Sequence, residues 1–100
     1  MRRVLIVEDD NKISQYIENI VKSIDIPTKI FAFTNVKDAY HCMLHYKIDL
    51  FMIDIILDTG KPGDTSGLYL AEKIRMIRQY KYTPLIFITS LEDSKCISYS

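Results

Sequence analysis

Cysteine, excess charge and long apolar runs are all scarce in this sequence. Its two cysteines, Cys42 and Cys96, are too few for a disulfide framework and lack metal-ligand spacing, so both are expected to be reduced and structural. Thirteen Lys and Arg balance thirteen Asp and Glu. A formal charge of zero gives no electrostatic case for nucleic acid, which usually meets a basic face, or for a polybasic membrane contact. No stretch approaches the ~18 apolar residues that would cross a bilayer. The opening "MRRVLIVEDD" places two arginines before an apolar segment, as a signal peptide does. That segment is far too short, and acidic residues follow where a cleavage site should stand. The expected location is the cytoplasm. Low-complexity segments are missing too, and so is any repeat beyond an alternation of strand-like and helix-like patterns.

What is present suits one small domain over residues 1–100. The chain is 48% hydrophobic, and a chain of this size buries ~60–65% of its unfolded surface, enough for one core. "RVLIV" has no polar alternation and predicts a strand buried on both faces. From Asn11 the period changes. Ile13, Tyr16, Ile17, Ile20, Val21 and Ile24 step by three and four, one apolar face of a helix that stops before Pro27. "TKIFAF" predicts a second strand, and Asn35 or Thr34 can cap a second helix with Val36, Ala39, Tyr40, Met43 and Leu44 on its apolar face. "DLFMID" is the third strand, and "ILDTGKPGDTSG" is a loop by composition. Ser66 can cap a third helix carrying Leu70, Ala71, Ile74 and Ile77, and "LIFIT" after Pro84 is the fourth strand. Residues Leu91 to Ser100 read as the start of a fourth helix. Such alternation predicts an α/β fold, a doubly wound parallel sheet covered on both faces.

In such sheets a ligand site lies beyond the carboxyl ends of the strands. The first strand ends in Glu8 and Asp9, the third in Asp54, and the fourth in Thr89. Asp54 stands out because Leu50–Ile53 precede it and Ile55–Leu57 follow. A carboxylate in apolar surroundings is costly unless it is paired or put to use. If these three strands are neighbours, three carboxylates and a hydroxyl converge, and like charges so close call for a cation. Oxygen ligands without His or Cys favour a hard metal, and Mg²⁺ is the natural choice. Beside it, Asp54 is the best candidate for a nucleophile that forms an aspartyl phosphate, with Thr89 placed to bond a phosphoryl oxygen.

Simpler readings compete. Asp10 most readily caps the first helix. His41 and His45 have no third ligand in view and suit a solvated face, while Asp58 and Asp64 suit a solvated loop. The seven tyrosines lack the basic interleaving of a base-stacking surface. A Mg²⁺-dependent phosphohydrolase of the haloacid-dehalogenase type, or a Toprim-like enzyme, would want a carboxylate pair two residues apart. Asp54 and Asp58 do not form one.

In order along the chain, "VLIVEDD", "DLFMIDIIL", "GLYLAEKIR" and "PLIFITS" resemble a bacterial two-component response-regulator receiver domain over essentially the whole length. The resemblance implies a flavodoxin-like sheet of strand order 2-1-3-4. It implies that Asp54 accepts a phosphoryl group from a sensor histidine kinase. It implies that Asp9 binds Mg²⁺ directly, Glu8 mostly through water, and the backbone carbonyl of Ile56 completes the protein ligands. Thr89 would be the switch hydroxyl, and an output domain, expected to act in transcription, would lie outside these residues. The module would be a signalling phosphoacceptor and not an enzyme with an external substrate.

Two departures matter. "GKPGDTSG" lengthens the loop after Asp54 and, with "FITSLED", is similar to receivers that precede LytTR-type DNA-binding domains. The family's fifth strand, its essential lysine and its last helix are not matched, and neither Lys81 nor Lys95 replaces that lysine by position. The domain is therefore expected to be incomplete at its C-terminus. Strand 84–89 would then be an apolar sheet edge, and self-association through it or through the last helix is expected. The alternative is a degenerate receiver that works as a phosphorylation-independent interaction module.

Overall fold

The computed structural model describes residues 1–55, 66–91 and 94–99, with 89–91 and 94–99 described by their backbone alone. The elements run β1 (Arg2–Val7), α1 (Asn11–Lys22), β2 (Thr28–Phe33), α2 (Val36–His45), β3 (Leu50–Asp54) and α3 (Ser66–Met76). A single 3-10 turn (Arg78–Tyr80), β4 (Leu85–Leu91) and β5 (Ser94–Tyr99) follow. The strands form one sheet in the order β2-β1-β3-β4-β5. β1 to β4 are mutually parallel, in the expected order 2-1-3-4.

The continuous apolar runs follow from burial on both sides. In β1, Leu5 and Val7 face the α2–α3 layer, where they pack with Ala39, Met43, Phe51, Ile53, Leu70 and Ile74. Val4 and Ile6 face the other way, toward Ile17 and Val21 of α1, together with Met52 and Ile88. Phe51 meets Tyr80 edge to face, with ring centroids 5.1 Å apart. Such a pair contributes about 0.5–1.5 kcal/mol beyond its buried area.

The helix starts are set by side chains. Asp10 caps α1, its Oδ1 accepting from the backbone N–H of Lys12 at 2.9 Å and of Ile13 at 3.3 Å. Asn35 caps α2 by accepting from Asp38 N–H at 2.9 Å. The faces are narrower than the periodicity predicts. α1 buries Ser14, Ile17 and Val21, whereas Tyr16, Ile20 and Ile24 of the same predicted stripe are exposed. Six apolar positions span a wider arc than one helix can press against one sheet face.

The end of the chain differs from expectation. The segment expected to begin a fourth helix instead extends β4 to Leu91 and forms β5. β5 runs antiparallel to β4, from Ile86 opposite Tyr99 to Leu91 opposite Ser94. Strand 84–89 is therefore not an open edge, and the last helix expected to exchange between copies is a strand. The reason is physical. A row of unpaired N–H and C=O groups along β4 templates a further strand, and the segment with Cys96, Ile97 and Tyr99 supplies it from within the chain. β5 is antiparallel and is therefore not the family's lysine-bearing fifth strand, which has no counterpart among the described residues. Lys95 accordingly lies in β5, opposite Ser90.

Candidate functional site

The register of the sheet sets the site. Val7 stands opposite Ile53, and Asp54 opposite Ile88. Glu8 therefore continues β1 beside Asp54, at the carboxyl edge where β1 and β3 end and β4 runs on past Ile88. Glu8 and Asp54 are fully buried and Asp9 is half-buried. One carboxylate oxygen from each of the three lies within 4.8 Å of the others.

Backbone hydrogen bonds steady Glu8 and the end of β3. Glu8 N–H donates to Phe33 O of β2 at 3.0 Å, and Asp10 N–H donates to Glu8 Oε1 at 3.3 Å. Asp10 therefore serves twice, its side chain capping α1 and its amide holding a site carboxylate. On the other side, Ile55 N–H donates to Ile88 O at 3.1 Å, and Gly67 N–H donates to Ile55 O at 3.1 Å. The first turn of α3 is thereby held against the end of β3.

The donor set is chemically specific. Three carboxylates with no nitrogen or sulfur ligand suit a hard divalent cation, and a cation would offset their mutual repulsion. Among the described residues these are the only three acidic, His or Cys side chains grouped closely enough to hold a metal. His41 and His45 are both exposed on α2.

Of the residues read from the sequence, the fold brings Glu8, Asp9 and Asp54 together. The backbone of Thr89 follows Ile88 directly and so lies at the same edge. Ile56, Asp58 and Asp64 lie outside the described residues. Lys81 follows the 3-10 turn, before β4 begins and away from the edge where Thr89 lies. Sequence reasoning missed Gly67. Its signal was a glycine at the second position of a helix, where a better helix former would normally stand.

The comparisons agree with this geometry. The model of the response regulator receiver domain matches residues 4–98, and the chain belongs to that family. A search of curated proteins finds no match. Among solved structures, the chain is similar to the Mn²⁺-bound form of response regulator Rcp1, with TM-score 0.77 and 16% identity over 94% of this chain and 69% of that one. It is similar to the MaeR response regulator bound to beryllium trifluoride, with TM-score 0.72 and 26% identity over 93% of this chain and 70% of that one. The chemotaxis protein CheY4 of Vibrio cholerae matches with TM-score 0.69 and 22% identity, over 87% and 67% of the two chains. The protein is thus a phosphoacceptor receiver module of two-component signalling, in a family that works with histidine kinases and output domains. Its acidic cluster fits a divalent metal. No helix among the described residues is long and apolar enough to cross a membrane.

Proposed function

We propose that residues 1–100 act as one cytoplasmic receiver domain in which Asp54 takes a phosphoryl group from a histidine kinase in a Mg²⁺-dependent reaction. The observation that carries this reading is the convergence of Glu8, Asp9 and Asp54 at the carboxyl edge, with oxygens within 4.8 Å. Glu8, Asp9, Asp54 and the backbone carbonyl of Ile56 would hold the ion. Bound there, Mg²⁺ neutralises part of the charge of the incoming phosphoryl group.

The chain's own residues do the rest. A carboxylate oxygen of Asp54 attacks phosphorus in line, the new O–P bond forms, and the P–N bond to the kinase histidine breaks. The electron pair stays on the departing imidazole, which keeps or picks up its proton from solvent. Glu8, held by Asp10 N–H, and Asp9 keep the metal end of the site fixed. Thr89, at the end of β4, donates its hydroxyl to a phosphoryl oxygen and draws the adjacent segment inward. That gives two states whose balance phosphorylation shifts. The output controlled in this way is transcription, through a domain or partner outside these residues, in the manner of LytTR-type regulators.

Intact-mass measurement after incubation with acetyl phosphate tests the proposal. The expected result is one phosphoryl group per chain, dependent on Mg²⁺ and abolished in Asp54→Asn. Mg²⁺ binding without incorporation would instead favour a phosphorylation-independent interaction module.

A further inference from the structure

At Gly67, α3 comes up against the backbone of Asp54. A Cβ built on Gly67 would overlap the carbonyl oxygen of Asp54 outright and lie 2.7 Å from both the Asp54 carbonyl carbon and Ile55 Cα. All three are backbone atoms at the end of a central strand, so none can swing away as a side chain would. The need is for space, created by close approach of α3 to β3.

The surroundings show what this approach does. The Asp54–Ile55 peptide is a rigid plane. From the β4 side it is held by Ile55 N–H donating to Ile88 O, and Gly67 N–H holds the next carbonyl, Ile55 O, from the α3 side. With Gly67 Cα packed against Asp54 O, that plane has little freedom to shift. Displacement of the plane would carry Asp54 Cα with it, and so move the base from which the carboxylate reaches toward Glu8 and Asp9. Fixing the plane therefore fixes that base.

We propose that Gly67 is a positioning residue for Asp54: by lacking a side chain it lets α3 clamp the Asp54–Ile55 peptide and hold the carboxylate in register with the metal-binding pair. This rests on the receiver chemistry proposed above. It assigns no contact between Gly67 and the phosphoryl group. The expected size follows from the cost of misplacing a reacting group by about 1 Å, on the order of 100-fold in rate. Disturbing a residue that orients metal ligands costs about 10–100-fold in affinity.

The test compares wild type, Gly67→Ala and Ala71→Gly by thermal melting, Mg²⁺ titration and phosphoryl incorporation from acetyl phosphate at saturating Mg²⁺. Ala71→Gly, in the middle of α3, destabilises the helix without touching β3's backbone and serves as the control for stability. The expected result is a Gly67→Ala variant that still melts cooperatively but binds Mg²⁺ about tenfold more weakly. Its incorporation rate falls on the order of 100-fold, while Ala71→Gly stays within about twofold of wild type in both. Equal losses in both variants, or a Gly67→Ala variant within twofold of wild type, would overturn the proposal. Should Gly67→Ala fail to fold, a semisynthetic chain with an ester in place of the Gly67 amide removes only the bond to Ile55 O. A severalfold slower incorporation in that chain supports the proposal and an unchanged rate refutes it. If wild type itself takes up no phosphoryl group, the receiver chemistry fails, and the Mg²⁺ affinities still decide the role of Gly67.

Discussion

Replacing Tyr80 with Phe should destabilise the domain by about 2–3 kcal/mol, although the protein would lose a single oxygen atom. Tyr80 is fully buried. Its hydroxyl accepts from Ile48 N–H at 3.2 Å and lies 2.7 Å from Met43 O and 2.8 Å from Tyr46 O, donating to one of them at a time. One group thus ties the end of α2 and the entry to β3 to the 3-10 turn. Phe keeps the ring, so the contact with Phe51 survives and no large cavity opens. What is lost is the acceptor for a buried N–H, which costs about 1–3 kcal/mol, and a donor to a buried carbonyl, about 0.5–1.5 kcal/mol. In a domain of this size each kcal/mol moves the melting temperature by about 4–8 °C, so Tyr80→Phe should melt on the order of 10–20 °C lower. Urea denaturation should show a lower midpoint with an unchanged slope. Tyr82→Phe is the control, because Tyr82 is 86% exposed and its loss should stay within about 0.5 kcal/mol. A Tyr80→Phe loss as small as that would refute the reasoning. The pH dependence gives a second check. Burial, first among the causes, raises the Tyr80 phenol above its ordinary value of 10.0. A raised phenol pKa means stability that is full below the unfolded value and lost as pH climbs through the folded one. The advantage of wild type over Tyr80→Phe should therefore shrink as pH rises above about 10.

Other expectations follow from single contacts. Arg75→Ala should destabilise by about 1.5–3 kcal/mol in urea titration, because its Nη1 donates to Tyr80 O at 2.9 Å and Thr83 O at 2.7 Å; Arg75→Lys should recover only part, since an ammonium lacks the planar fork. Asp10→Ala should cost about 1 kcal/mol through loss of the α1 cap, measured the same way. Burial pushes the Cys42 thiol above its ordinary value; in a Cys96→Ser background it should therefore react with a disulfide reagent at pH 8 more slowly than free cysteine does.

The parts of the fold that depend on local pattern were legible in the sequence. Val4 to Val7 and Leu50 to Ile53 lack polar alternation because both sheet faces are covered, and this alone marks interior parallel strands. The acids at their ends then had to share an edge once strand order followed from the family resemblance. Ser94 to Tyr99 was not legible, because what makes it a strand is the open flank of β4, a partner that no local period encodes. The outer half of the α1 stripe misled for a related reason. Periodicity reports which residues share a helix face, while the width of the sheet beneath decides how many of them, from Ile17 to Ile24, are covered. Gly67 escaped notice because the neighbour that demands it is the backbone of Asp54, thirteen positions earlier in the sequence.

α3 is fastened at both ends. Its first turn is bonded to Ile55 at the carboxyl edge of the sheet, and Arg75 near its last turn grips the carbonyls of Tyr80, Lys81 and Thr83 on the way into β4. Eleven residues of helix make a stiff rod about 16 Å long. A rod pinned twice has no hinge of its own, so it can tilt only by breaking one anchorage or by carrying both along. Motion at the carboxyl edge therefore has two outlets: segments that α3 does not grip, or a rigid shift that arrives at the opposite end of β4 with little loss of amplitude.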